Sequence, residues 1–372
     1  VQAPAGGISK DLFDRLGYRY IYSYTHWLQR WDLGAGFNRA NNDAHSRELV
    51  KHWQDSGLLD HVYRISIRDE PGEDVAGWVD GGLSDMHKDP PFWKRIIEYV
   101  GLRPEDFIHA EDQPPEGLDP MSEQYWQHVK GCNRDARDQN PLCVYNTMRV
   151  AQGYWPCRLG IMRDSLHQAF GDDVLVTANV HCSAFFGDNL SGLNPWVLYC
   201  RRRILDMPQV CDYSVRWPQQ EEWLIDIQRC ALRPRKRAVD AYLQAQETYH
   251  PRTPEHLKMC ALGAVGAGAS SITFYDWGPR YMATENWYDT DPERLRIVGE
   301  INHAVGWVED ILLDGEPPPA KIAIMYSMPG DMWDRIAPAE AIKDPRTYLA
   351  ERRLLYHLLR GLHRQVDMIN DE

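Results

Sequence analysis

The run Val62-Tyr63-Arg64-Ile65-Ser66-Ile67-Arg68-Asp69-Glu70-Pro71-Gly72 is apolar and β-branched over residues 62–67, then breaks on two carboxylates, a proline and a glycine. A short apolar run bounded by turn formers reads as a strand buried on both faces, the kind found in parallel sheets. Five further runs repeat the pattern at residues 19–24, 174–178, 210–215, 238–245 and 271–274. Helical periodicity follows them, and alternating strand and helix means an α/β architecture. The uncharged stretch 259–275 is rich in Gly, Ala and Ser. It is too short for a membrane span and reads as a buried helix running into the last strand.

Polar and aromatic residues gather just after the strand ends. Asp69 and Glu70, Asn179, Gln246 and Glu247, and Tyr275, Asp276 and Trp277 all stand there. Tyr213 lies at the fourth strand, and His26 and Trp27 follow the first. A (β/α)8 barrel builds its active site from these positions. A doubly wound sheet also binds ligands there, but no glycine-rich phosphate loop follows any strand, so the nucleotide-binding version loses support.

The expected architecture is a (β/α)8 TIM barrel over residues 1–305, with a long, irregular loop-and-helix insertion at about 72–165. Pro317-Pro318-Pro319 signals a linker, and residues 306–372 read as the start of a second, Rossmann-like α/β domain. That tail has a strand at 321–326, an amphipathic helix and a strand at 365–369. Its helix carries a stripe of Leu354, Leu355, Leu358, Leu359 and Leu362. Each barrel unit takes roughly 30 residues, so three strands before Val62 would need about 90. Val1 is therefore expected to lie inside the barrel, in a fragment of a longer polypeptide.

Composition narrows the function. Lys and Arg total 41 against 54 Asp and Glu, a net charge of −13, which argues against a nucleic-acid partner. The excess is aromatic, with 14 Trp and 19 Tyr beside only 8 Phe. Trp and Tyr join a flat apolar face to a polar edge, which suits sugar rings. The 8 cysteines form no CxxC pair and read as scattered buried thiols. His181, His250 and His256 match no metal-ligand spacing, so neither a metal nor an organic cofactor is expected. Compartment is left open between cytoplasmic and secreted or periplasmic.

Glu70 and Glu247 carry the main hypothesis. If the strand at 62–67 is barrel strand 4, those at 174–178 and 210–215 count as 5 and 6, and the strand before Glu247 is strand 7. Both side chains would then serve one mouth. Retaining glycosidases need two carboxyl groups about 5–5.5 Å apart, one to protonate the leaving oxygen and one to attack the anomeric carbon. A single carboxylate after a strand is ordinarily a solvated loop residue; two on the right strands point to chemistry. Asp69 beside Glu70 sets like charges together, which raises one pKa as a general acid requires.

Several stretches together carry a resemblance. They are Arg68-Asp69-Glu70-Pro71-Gly72, the helical stretch from Phe92-Trp93-Lys94 to Phe107, Val176-Thr177-Ala178-Asn179, Gln244-Ala245-Gln246-Glu247 and Ile272-Thr273-Phe274-Tyr275-Asp276-Trp277. The tail adds residues 320–327 and 351–356. In their order the chain resembles glycoside hydrolase family 42, the β-galactosidase-like barrels. The resemblance implies a retaining hydrolase of β-linked galactosides with Glu70 as acid/base and Glu247 as nucleophile. It also implies a homo-oligomer, a trimer, packed through the second domain. The family normally carries Asn before its acid, binding the sugar 2-hydroxyl; this chain has Asp69, which accepts a hydrogen bond but cannot donate as an amide does. The cysteine zinc cluster of some members has no counterpart spacing here. Asp69, Asn179, Tyr213, Tyr275, Trp277, His26 and Trp27 are the candidate carbohydrate-binding residues, with no membrane partner expected. Two rivals stand beside this reading: a catalytically degenerate barrel that binds carbohydrate or serves in assembly, and a metal-dependent barrel hydrolase.

Overall fold

The computed structural model describes residues 9–24, 39–71, 90–107, 113–120, 122–132, 141–181, 195–201, 203–212, 218–233, 238–245, 253–275, 291–315, 317–336 and 347–370. Six strands lie in one sheet in chain order: β1 (Ile21–Tyr24), β2 (Val62–Asp69), β3 (Leu175–His181), β4 (Gln209–Asp212), β5 (Asp240–Gln244) and β6 (Ser271–Tyr275). The pairs β1–β2, β2–β3, β4–β5 and β5–β6 are parallel. The order never reverses, as it would at the switch point of a doubly wound sheet, and this is the winding of a (β/α) barrel. The expected α/β class and all six strand positions are found, with ends moved by one to three residues.

The helices are α1 (Lys10–Arg15), α2 (Arg39–Asp55), α3 (Pro90–Tyr99), α4 (Glu123–Cys132), α5 (Pro141–Phe170), α6 (Gln219–Leu232), α7 (Pro254–Ala267), α8 (Pro292–Gly306), α9 (Glu309–Asp314), α10 (Met328–Ile336) and α11 (Thr347–Gly361). Strands β7 (Ile322–Tyr326) and β8 (Val366–Asn370) pair in parallel in a separate sheet. Local signals set the ends. Before α7, the Thr253 hydroxyl accepts from the His256 N–H, Pro254 starts the helix, and Gly268 closes it at φ 105 in the left-handed region. No described helix is long and apolar enough to cross a membrane.

Contacts group the chain into two compact units. The first holds β1, β2, most of β3, α1–α5 and most of α10. Its β2 buries Ile65 and Ile67 completely, and Arg64 and Arg68 are buried as well. Such burial on both faces is what a central parallel strand requires. The Arg64 guanidinium lies 3.8 Å over the Tyr22 ring, and Arg68 and Arg158 lie 5.4 and 5.3 Å from the Trp155 ring.

The last part of the expected loop-and-helix stretch at 72–165 belongs to one long helix, since residues 141–170 form a single helix of 30 residues. Pro156 and Gly153 sit inside α5 and hide it from a propensity reading. Gly153 is there for close packing: a Cβ would meet Val100 Cγ1 at 2.8 Å and Ile96 Cγ2 at 3.2 Å. At the C-terminal end of α5, His167 Nε2 and the Asp206 carboxylate lie 2.7 Å apart, and Asp206 also accepts from the Val176 N–H at 3.0 Å.

The second unit holds β4–β8, α6–α9 and most of α11. Asp240, fully buried at the start of β5, accepts from Gln209 Nε2 at 2.8 Å and Thr273 Oγ1 at 2.9 Å. One buried carboxylate thereby ties three neighbouring strands and keeps its hydrogen bonds. The tail packs against α6. Tyr356 donates to Asp226 at 2.7 Å, the Met368 N–H donates to Cys230 Sγ at 3.2 Å, and Asp367 pairs with Arg229 and Arg233. The tail strands and helix appear at the expected positions, and they share a compact unit with β4–β6. The leucine stripe of α11 faces outward: Leu354, Leu355, Leu358 and Leu362 are exposed, while Arg352 and Tyr356 are buried. The docking face is polar because Arg352 stacks 4.3 Å over Tyr326 and Tyr356 reaches Asp226.

Candidate active site

In the first unit the site begins with a register shift. Ser66 pairs with Thr177, but the next matched pair is Asp69 with Asn179. β2 therefore takes three residues where β3 takes two, a bulge. Without it Arg68 would stand opposite Asn179. With it Asp69 does, and the Asn179 Nδ2 donates to Asp69 Oδ1 at 2.8 Å. The Glu70 N–H donates to the Asn179 carbonyl at 2.7 Å, and Glu70 holds φ 44. A non-glycine residue in the left-handed region is uncommon, and such strain concentrates at functional sites. The carboxylate-bearing residue thus leaves the sheet at a backbone position fixed by the neighbouring strand.

Asn179 links these parts. It is 2% exposed, and its Oδ1 has no hydrogen-bond partner among the described residues. A buried acceptor without a partner is costly, and this one belongs to the residue that meets both Asp69 and Glu70. Asp69, Glu70 and Asn179 are the predicted residues that the described structure brings together.

In the second unit the exit of β5 is pinned. The Ala245 N–H donates to the Tyr275 carbonyl, and the Ala245 carbonyl accepts from Arg294 Nη1 at 2.9 Å. Arg294 is buried and gripped by Asp291, the N-cap of α8, at 2.9 Å. Tyr275 stacks on Tyr242 with ring centroids 5.7 Å apart, so one of its faces is already occupied. Glu247, Tyr213, Trp277, His26 and Trp27 lie outside the described residues. Sequence reading missed Arg294 and the Asp240 cluster. The sequence Asp291-Pro292-Glu293-Arg294 was the available signal for the first, as an N-cap followed by proline.

A parallel, sequentially wound α/β sheet of this kind is a barrel-like fold. Two solved structures share this fold. One is a catalytic mutant of Gan42B, a GH42 β-galactosidase from G. stearothermophilus, at TM-score 0.62 and 13% identity, covering 97% of this chain and 56% of that one. The other is Gan42B itself, at TM-score 0.58, 14% identity and the same coverages. The chain thus spans about half the length of these proteins. No family profile and no curated protein matches the sequence.

Proposed function

We propose that this chain carries the catalytic barrel of a retaining glycoside hydrolase acting on β-linked glycosides, with galactosides the first substrates to try. Glu70 protonates the glycosidic oxygen while the Glu247 carboxylate attacks the anomeric carbon and expels the aglycone. Glu70 then takes a proton from water, whose oxygen attacks the glycosyl–Glu247 ester and releases the sugar with retained configuration. Asn179 Oδ1 accepts a sugar hydroxyl in this scheme.

The observation that carries the reading is the arrangement around Asn179. Its backbone carbonyl accepts from the Glu70 N–H, its amide nitrogen engages Asp69, and its buried oxygen has no partner among the described residues. The likeness of fold to GH42 β-galactosidases agrees with it. The test is turnover of p-nitrophenyl β-D-galactopyranoside, with the anomer released first identified by NMR. Retention is expected, and Glu70→Gln should lower kcat by about 10²–10⁴-fold. In azide, Glu247→Gly should yield the α-glycosyl azide and Glu70→Ala the β-glycosyl azide. Sugar binding without turnover would instead favour the degenerate barrel.

A further inference from the structure

Asp69 stands one residue before the candidate acid, at the last matched pair of β2 and β3, and is half-buried. Its Oδ1 accepts from Asn179 Nδ2 at 2.8 Å, and that donor is neutral. Among the described residues no lysine, arginine or histidine pairs with Asp69. The two arginines of β2 lie over aromatic rings instead, Arg64 over Tyr22 and Arg68 over Trp155. Asp69 Oδ2 has no partner among the described residues and is not enclosed, so it reaches the surface. A carboxylate oxygen with no compensating cation is thus presented beside Glu70.

Asn179 shows what this place lacks. A carboxylate can only accept, so Asp69 decides which way the Asn179 amide turns, with Nδ2 toward it. The amide oxygen, on a residue 2% exposed, is left without a partner among the described residues. The donor nitrogen of the pair is turned inward, and the oxygens left over are acceptors. An open carboxylate oxygen in such surroundings favours a cation with several N–H donors over a hydroxyl, which is neutral and donates once.

Neighbouring Cα atoms lie about 3.8 Å apart, so Asp69 flanks whatever Glu70 serves. If Glu70 protonates the glycosidic oxygen on C1, the nearest ring substituent is the one on C2. We propose that Asp69 is the specificity-determining residue of this site and that the substrate is a 2-amino-2-deoxy-β-glycoside, its ammonium held by Asp69 Oδ2. This rests on the hydrolase reading, which puts the scissile bond at Glu70.

The experiment compares kcat/KM for the p-nitrophenyl β-D-galactoside and β-D-glucoside with their 2-amino-2-deoxy counterparts. The 6-amino-6-deoxy galactoside controls for unspecific attraction of cations. For at least one epimer the 2-amino glycoside should exceed its 2-hydroxy parent by about tenfold or more, the scale of one charge-assisted hydrogen bond. N-acetylation should abolish the advantage. Asp69→Asn, with circular dichroism confirming that it folds, should lower the amino-to-hydroxy ratio by about tenfold or more. If that variant does not fold, the acetylated and 6-amino substrates decide the matter on the native chain. Calorimetry with D-galactosamine and D-glucosamine, against D-galactose and D-glucose, reads recognition without turnover. Turnover with no 2-amino preference, an equal preference for the 6-amino glycoside, or a ratio unchanged in Asp69→Asn would overturn the amine assignment and leave the hydrolase standing. Asp69-dependent binding of an amino sugar without turnover of any glycoside would keep the amine site and overturn the hydrolase. Neither turnover nor binding would remove both.

Discussion

Glycine at position 70 is expected to stabilise the fold relative to alanine while removing the candidate acid. Glu70 holds φ 44, and this conformation costs an L-residue about 1–2 kcal/mol. Glycine adopts it freely but loses about 0.5–1 kcal/mol through its larger unfolded-state entropy. Comparing Glu70→Gly with Glu70→Ala cancels the lost side-chain contacts, because neither variant makes them. Both keep the N–H donation to Asn179. The net expectation is that Gly is more stable than Ala by about 0.5–1 kcal/mol. With a urea slope of about 3 kcal/mol/M, the unfolding midpoint should differ by about 0.2–0.3 M. Tryptophan fluorescence with equal slopes would read it. An alanine midpoint equal to or above the glycine midpoint would refute backbone strain at this position. Both variants should lack the turnover attributed to the acid.

Three other outcomes follow from buried groups. The hydrogen bond to Asp206 raises the His167 imidazole above 6.5 against the effect of burial, so the folded state favours the proton. This stabilisation is complete below about 6.5 and is lost as pH rises through the folded value. Melting temperature should therefore fall on the alkaline side in the native protein and much less in His167→Gln. Burial pushes the Asp206 carboxyl up, but hydrogen bonds from His167 and Val176 hold it below 3.8, so its contribution disappears as pH falls through that lowered value. Asp367→Ala removes the anion shared by half-exposed Arg233 and by Arg229, which keeps Asp226, and should cost about 1.5 kcal/mol, the low end for a hydrogen bond to a charged group; faster hydrogen exchange in 347–370 would check it. Burial pushes the Cys230 thiol up to about 11, so iodoacetamide at pH 8 should label it only after unfolding, and native labelling would contradict its burial.

Much of the sheet was legible because its signal is local. A parallel strand buried on both faces must be apolar along its length, so 62–67 and 271–274 announce themselves, as do the polar residues that end them. The helix α5 was not legible as one element, since Pro156 and Gly153 look like breaks until Ile96 and Val100 are seen packed against Gly153. The leucine stripe of α11 misled for the opposite reason. Its spacing is helical, but Arg352 and Tyr356 find stronger buried partners on α6 and β7.

The candidate site divides in the same way. Residue order alone placed Asp69, Glu70 and Asn179 at strand ends, because strand termination is written in neighbouring residues. That Asp69 rather than Arg68 meets Asn179, and that Glu70 turns into the left-handed region, follows from a bulge between residues over a hundred positions apart. A cavity lined by α6 and α11 has the same origin, since those helices are distant in sequence. Sequence by itself determined the α/β alternation and which chemistry lies at the strand ends, because both depend on contacts and periodicities a few residues long. Only the tertiary structure decided which side chains meet, because register and helix docking are set by the packing of segments that no local pattern brings together.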